Sequence, residues 1–130
     1  MNIPALPENE LSGQIIGAAI EVHRILGPGL LESIYQEALA MELGIRGVRV
    51  QRHMEVPVRY KDKLLSAPLR LDMLVNDLII VEVKSVDHLA AVHEAQLLSY
   101  LKLADKRLGL LINFNTRKLA NSLRRIVNGL

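Results

Sequence analysis

Three ionisable side chains stand inside what reads as an aliphatic sheet. Asp72 lies in Leu71-Asp72-Met73-Leu74-Val75, and Glu82 and Lys84 lie in Ile79-Ile80-Val81-Glu82-Val83-Lys84. Burying a charge is costly unless it is paired or binds a metal. Glu82 and Lys84 are two residues apart and share one face of a strand. Asp72 belongs to the preceding strand. A two-residue turn at Asn76-Asp77 pairs residue 72 with residue 81 and sends Asp72 and Glu82 to opposite faces. A three-residue loop, Asn76-Asp77-Leu78, or a bulge, sets 72 opposite 82 and brings all three side chains together. Two converging carboxylates make a hard oxygen site suited to Mg²⁺ or Mn²⁺. A metal held this way can polarise a phosphodiester and activate water, while a nearby lysine stabilises the negative charge that develops. The same spacing also fits a buried structural ion pair of Lys84 with Glu82 or Asp72. Spacing alone leaves these two readings even.

Other polar residues recur at helical spacing. Glu32 and Tyr35 are three apart and share a helix face. His93, Gln96 and Tyr100 share another at i, i+3 and i+7. Taken singly, Tyr35 and Tyr100 read as core residues with satisfied hydroxyls, Gln96 as an exposed helix residue, and His93 as a surface histidine or a neighbour of a site. His23, His53 and His88 have no ligand spacing and receive no role.

The elements that must position these residues follow from periodicity. Leu11, Ile15, Ala18, Val22 and Ile25 predict a helix over 11–26, broken by Gly27-Pro28-Gly29. A second helix runs over 30–43, with Gly44 as its C-terminal cap. Val48, Val50, Met54, Val56 and Val58 alternate with polar residues, the mark of a strand with one wetter face. Tyr60-Lys61-Asp62-Lys63 reads as a hairpin turn. The second strand is 64–75, where Pro68 implies a bulge or an unpaired position. The third, 78–84, is rich in Ile and Val and therefore central. A helix over 89–103 follows, then an apolar run over 108–114 that fits a strand buried on both faces, and a closing helix over 116–127. The order α-α-β-β-β-α-β-α describes a mixed four-stranded sheet flanked by helices, an α/β (α+β) fold.

Composition sets limits on function. The chain has 130 residues, suited to one domain over 1–130, with residues 1–10 as a loosely ordered N-terminal segment. There is no Cys, which excludes disulfides, zinc–thiolate sites and cysteine nucleophiles. Three Tyr, one Phe and no Trp argue against binding single strands by stacking bases on aromatic rings. No apolar run is long enough to span a membrane. The N-terminus lacks the regions of a signal peptide, and the expectation is a cytoplasmic protein. The net charge of +2 permits a nucleic-acid partner without arguing for one. Basic clusters at Arg46, Arg49 and Arg52, at Lys102, Lys106 and Arg107, and at Arg117, Lys118, Arg124 and Arg125 read first as solvated faces and second as phosphate contacts.

Read together, these residues resemble the GxxExxY family of the PD-(D/E)XK nuclease-like superfamily. The naming motif stands as Gly29-Leu30-Leu31-Glu32-Ser33-Ile34-Tyr35. The bipartite motif stands as Arg70-Leu71-Asp72 and Glu82-Val83-Lys84. His93 to Leu101 looks like the helix that follows the sheet, and Gly109 to Phe114 like the last core strand. The match runs from Leu11 onward. Where Gly and an aromatic residue are expected before Arg70, this chain has Pro68 and Leu69.

The resemblance implies a restriction-endonuclease-like core and a Mg²⁺- or Mn²⁺-dependent phosphodiesterase acting on DNA, less readily on RNA. It implies that Asp72, Glu82 and the Val83 backbone carbonyl hold the metal, that Lys84 serves the attacking water, and that Glu32 is an added acidic ligand or base. Gln96 and Tyr100 would line the site, with Tyr35, Arg70 and His93 in supporting positions. By analogy it also implies a homodimer, with no organic cofactor and no membrane. The alternative on the same scaffold is a catalytically silent module that binds nucleic acid or protein.

Overall fold

The structure, a computed structural model, describes residues 7–130. Helix α1 (Pro7–Leu26) begins with proline, whose missing N–H costs nothing at the first helical position. It buries Leu11, Ile15, Ala18, Ala19 and Val22. The helix starts earlier than periodicity predicts, so residues 7–10 are not loose. Glu8 is the reason: its carboxylate takes paired bonds of 2.7–2.9 Å from the Arg107 guanidinium, far along the chain. Residues 1–6 of the expected loose segment lie outside the described residues.

Gly27 and Gly29 take positive φ of 68° and 95°, and the chain reverses into helix α2 (Glu32–Ile45). The glycine that ends α2 is Gly47, at φ 79°, and not Gly44, which stays helical. The Val48 amide reaches back to the Leu43 carbonyl at 2.9 Å, so the turn satisfies a helix-end acceptor.

The predicted long hairpin is interrupted. Its outgoing side divides into β1 (Val50–Arg52), β2 (Glu55–Val56) and β3 (Arg59–Tyr60). Its return divides into β4 (Lys63–Leu64), β5 (Leu69–Arg70) and β6 (Met73–Val75). The inner break falls at His53, whose φ of 55° turns the strand out of extended conformation. The outer break follows from register. Val56 pairs with Leu69 and Arg59 with Leu64, so residues 57–58 face the longer stretch 65–68. Pro68 sits unpaired in that surplus, as its missing N–H requires.

Strand β7 (Ile79–Lys84) follows, then α3 (Ala91–Ala104) and β8 (Leu108–Asn113). One five-stranded mixed sheet forms, in the order β1-β6-β7-β8-β9, with β7 and β8 parallel and the other pairs antiparallel. The fold class is the expected one. The strand count and the last element are not: in place of a closing helix there is a short 3₁₀ turn (Leu119–Ser122) and then β9 (Leu123–Val127). The reason is non-local. β8 is buried along its whole length, and without a neighbour its outer edge would leave buried backbone donors and acceptors unpaired. β9 fills that edge, from Leu108↔Val127 to Ile112↔Leu123.

The sheet has a core on each face. On one, α1 and α2 pack over Met73, Val75, Ile79, Val81, Val83, Leu110 and Ile112. On the other, Leu97 and Leu101 of α3 pack on Leu74, Ile80 and Leu111. Close approach of α3 depends on Gly109, where an added Cβ would lie 2.8–2.9 Å from the buried Leu97 side chain. Gly109→Ala is therefore expected to cost roughly 1–3 kcal/mol by overpacking. A thermal melt showing an unchanged Tm would remove this account of how α3 is seated.

Candidate metal centre

The hairpin between β6 and β7 decides the site. Val75 pairs with Ile79, Leu74 with Ile80 and Met73 with Val81, so Asn76, Asp77 and Leu78 form a three-residue loop. Asn76 and Asp77 take φ of 48° and 57°, a left-handed region these residue types tolerate better than most. Continued by one step, the register sets Asp72 opposite Glu82. The expected odd loop is thus present, and the two carboxylates share a face. Ile80 alternates onto that face with Glu82 and Lys84, so the face is the one α3 covers.

Asp72 and Glu82 are locked by reciprocal bonds. The Asp72 amide donates to Glu82 Oε2 at 2.9 Å, and the Val83 amide donates to Asp72 Oδ2 at 2.9 Å. Glu82 is buried and Asp72 half-buried. Burial pushes the Glu82 carboxyl up to about 8, with the negative charge of Asp72 adding to the shift. Burial also raises Asp72, aided by the charge of Glu32 and opposed by the Val83 amide and Lys84. The two carboxyls are close enough to act on each other's ionisation. Lys84 is half-buried and its charge acts on both, yet among the described residues it forms no direct salt bridge with either. The simple buried ion pair of Lys84 is therefore not what the structure contains.

This donor set fits a divalent cation. Two carboxyl groups converge on one face, and a divalent cation between them would offset the cost of burying their charge. Among the described residues no third Asp, Glu or His completes a protein-only cluster. Mg²⁺ needs none, since it is ordinarily held by one or two carboxylates together with waters and substrate phosphates.

Glu32 reaches the site through the turn before α2. The Tyr35 hydroxyl donates to the Gly27 carbonyl at 2.5 Å and accepts the Leu30 amide at 3.1 Å. The Leu30 carbonyl in turn accepts Ser85 Oγ at 2.6 Å, and the Ser85 amide points at Glu32 Oε1 at 3.4 Å. Leu30, Glu32 and Tyr35 thus clamp the start of α2 onto the end of β7. Tyr35 itself is fully buried and stacked on Phe114, with centroids 4.6 Å apart. It positions this turn and does not reach the carboxylates. Tyr35→Phe is expected to keep the stack and leave the Leu30 amide and Gly27 carbonyl without their partner. The cost is about 1–3 kcal/mol, read as a lowered Tm, and an unaltered melt would discount the clamp.

The other expected residues divide. Tyr100 is near the centre: burial, then the negative charges of Glu82 and Asp72, push its hydroxyl above the usual tyrosine value. Gln96 is exposed and makes no side-chain hydrogen bond among the described residues. His93 accepts the Ala90 amide on Nδ1 at 3.0 Å and so caps its own helix. Arg70 is exposed on β5 and is not among the charges acting on either carboxylate.

A cleft of about 570 Å³ opens at the start of α2, lined by Glu32, Gln36, His53 and Ser85 among others, while Asp72, Glu82 and Lys84 do not line it. Gln36 and His53 were not singled out from spacing. Gln36 lies one turn after Glu32 on the same helix face, a signal that was available. His53 enters because its amide bonds the Asp72 carbonyl at 3.0 Å, across a break that no local pattern marks.

No helix among the described residues is long and apolar enough to cross a membrane. Among curated proteins none matches this sequence. The crystal structure of SSO0001 is similar in fold, with a TM-score of 0.57 at 22% identity over 75% of this chain and 50% of that one. The chain spans about half the length of that protein. The model of the PD-(D/E)XK nuclease superfamily matches residues 9–126, which include every element from α1 into β9, and the chain belongs to that superfamily.

Proposed function

We propose that this protein is a metal-dependent nuclease of the GxxExxY group that hydrolyses phosphodiester bonds of DNA. One observation carries the reading: two carboxylates, locked to each other's backbone, converge where a divalent cation fits, with a half-buried lysine beside them that forms no salt bridge among the described residues. In this reading Asp72 and Glu82 would hold Mg²⁺ or Mn²⁺, with the Val83 carbonyl as a further oxygen donor. The bound cation supplies polarisation of the phosphoryl oxygen and a more acidic water. Lys84 orients the attacking water and offsets charge building on the phosphate. Glu32, held at the cleft by the Tyr35 turn, takes up the water proton. Tyr100 offers its hydroxyl to the substrate from α3. A cytoplasmic homodimer is part of the same proposal, by analogy with enzymes that cut both strands using two sites.

The test is cleavage of DNA and RNA with Mg²⁺ or Mn²⁺ by wild type, Asp72→Ala and Lys84→Ala. Metal-dependent cleavage lost in both variants is the expected result. Activity that persists in Asp72→Ala rejects the metal site. A wild type that binds nucleic acid in the presence of metal but cuts none is a silent binding module.

A further inference from the structure

The segment that springs from the metal site carries the chain's positive charge. Residues 49–70 hold Arg49, Arg52, Arg59, Lys61, Lys63 and Arg70 against Glu55 and Asp62, net +4 where the whole chain is +2, so the remainder is net −2. Most of this segment is the outer part of the interrupted hairpin. Between Val56 and Leu69, no residue of the stretch 57–68 belongs to either core. Residues 59–68 are all exposed. β3 and β4 pair only with each other, closed by Lys61 and Asp62 at φ of 49° and 65°, a tight turn matched to strand twist. A two-stranded ribbon without a core is marginal in water, yet this one presents Tyr60 at 62%, Leu64 at 59% and Leu65 at 45% exposure. Such side chains gain from a partner that covers them.

We propose that the β3–β4 ribbon is an arm that enters the major groove of duplex DNA beside the metal site. The inference rests on the nuclease reading. Three observations select this partner. The charge of the segment is complementary to a polyanion and opposite to that of the rest of the chain. A two-stranded β-ribbon is one of the two elements that the major groove of B-form DNA admits, whereas the A-form groove of duplex RNA is too deep and narrow. The base of the arm is bonded to the residue that would hold the metal and to its neighbour: the His53 amide donates to the Asp72 carbonyl at 3.0 Å, and the Leu71 amide to the Met54 carbonyl at 2.9 Å. DNA gripped by the arm therefore lies with a strand near Asp72. Arg59, Lys61 and Lys63 contact phosphates, and Tyr60 and Leu64 meet sugar and base edges.

The test uses the full chain in EDTA, so that binding is read without cleavage. Fluorescence anisotropy follows a DNA duplex and an RNA duplex of the same sequence across a salt series, for wild type and for the combined Arg59→Ala, Lys61→Ala, Lys63→Ala variant. The variant is expected to bind duplex DNA roughly tenfold to a hundredfold more weakly, with the salt slope reduced by about 2–3. Its Tm is expected to be unchanged, because these side chains lie outside both cores. Wild type is expected to favour the DNA duplex over the RNA duplex. Equal affinity and slope in variant and wild type overturn the arm, as does equal binding of the two duplexes. A variant that changes the mass of the protein in solution but not its DNA affinity marks the ribbon as a contact between copies, which also overturns it. Failure here is separable from failure of the catalytic reading, which is decided by metal-dependent cleavage in Asp72→Ala.

Discussion

Asp72→Asn is expected to weaken Mn²⁺ or Mg²⁺ binding by roughly a hundredfold or more, to remove metal-dependent cleavage, and to leave the metal-free protein at least as stable as wild type at pH 8. Loss of a supporting group around a metal typically costs 10–100-fold in affinity, and Asp72 is proposed as a ligand itself. The third part separates a metal site from a structural one. The substituted carboxamide keeps a side-chain oxygen for the Val83 amide, so the lock between β6 and β7 survives. What is lost is a negative charge that pushes Glu82 upward. Removing one member of a stabilising ion pair strands the other and costs several kcal/mol, whereas removing one of two repelling carboxylates relieves strain. Isothermal titration with Mn²⁺ and a thermal melt on the same preparations check both. Undiminished metal affinity would sink the metal site, and a large drop in metal-free Tm would show that Asp72 is stabilising as a charge. Lys84→Ala, by contrast, is expected to keep metal affinity while cleavage falls, since Lys84 touches neither carboxylate directly.

The second large effect is on pH dependence. In the unfolded chain Glu82 and Asp72 ionise in the ordinary carboxylate range, while in the folded protein both are raised, Glu82 to about 8. Between those limits the native state binds more protons than the unfolded state, so stability falls as pH rises. The contribution is fully present in acid below the ordinary carboxylate range, and it is gone once the pH passes about 8. For Glu82, a shift from 4.5 to about 8 makes the loss over that window on the order of 5 kcal/mol, roughly 15 °C in Tm for a domain of this size. Mn²⁺ would compete with protons for these carboxylates, so metal affinity is expected to rise through the same window in which metal-free stability falls. Glu82→Gln is expected to flatten the profile. Glu8 contributes in the opposite sense: burial raises its carboxyl, but the bonds and charge of Arg107 outweigh burial and hold it low. Its stabilisation is present above the ordinary carboxylate range and is lost in acid. A metal-free Tm that rises steadily from pH 5 to pH 8 would contradict the assignment of Glu82 as the raised group.

The centre of the site was legible in consecutive residues. Alternation puts Glu82 and Lys84 on one strand face, and for Asp72 to join them the turn needs an odd loop or a bulge; the register between β6 and β7 contains the three-residue loop Asn76-Asp77-Leu78. These are short-range matters, governed by the period of a strand and by which residues accept positive φ. The first three helices were legible for the same reason, since a 3.6-residue period is written in neighbouring side chains. Contacts between distant segments settled the rest. Leu123–Val127 is a strand because β8 needs a partner on its buried edge, and that need is invisible within the segment. The hairpin is broken because His53 leaves the extended region and 57–58 face 65–68, so the basic outer part escapes the sheet. Gln36 and His53 border one cleft only because the start of α2 and the break after β1 come together in space. Tyr35, which spacing alone could only place in a core, became the residue that ties the start of α2 to the end of β7. In each of these cases the deciding energy is a backbone hydrogen bond or a packing contact across the fold, which local periodicity does not encode.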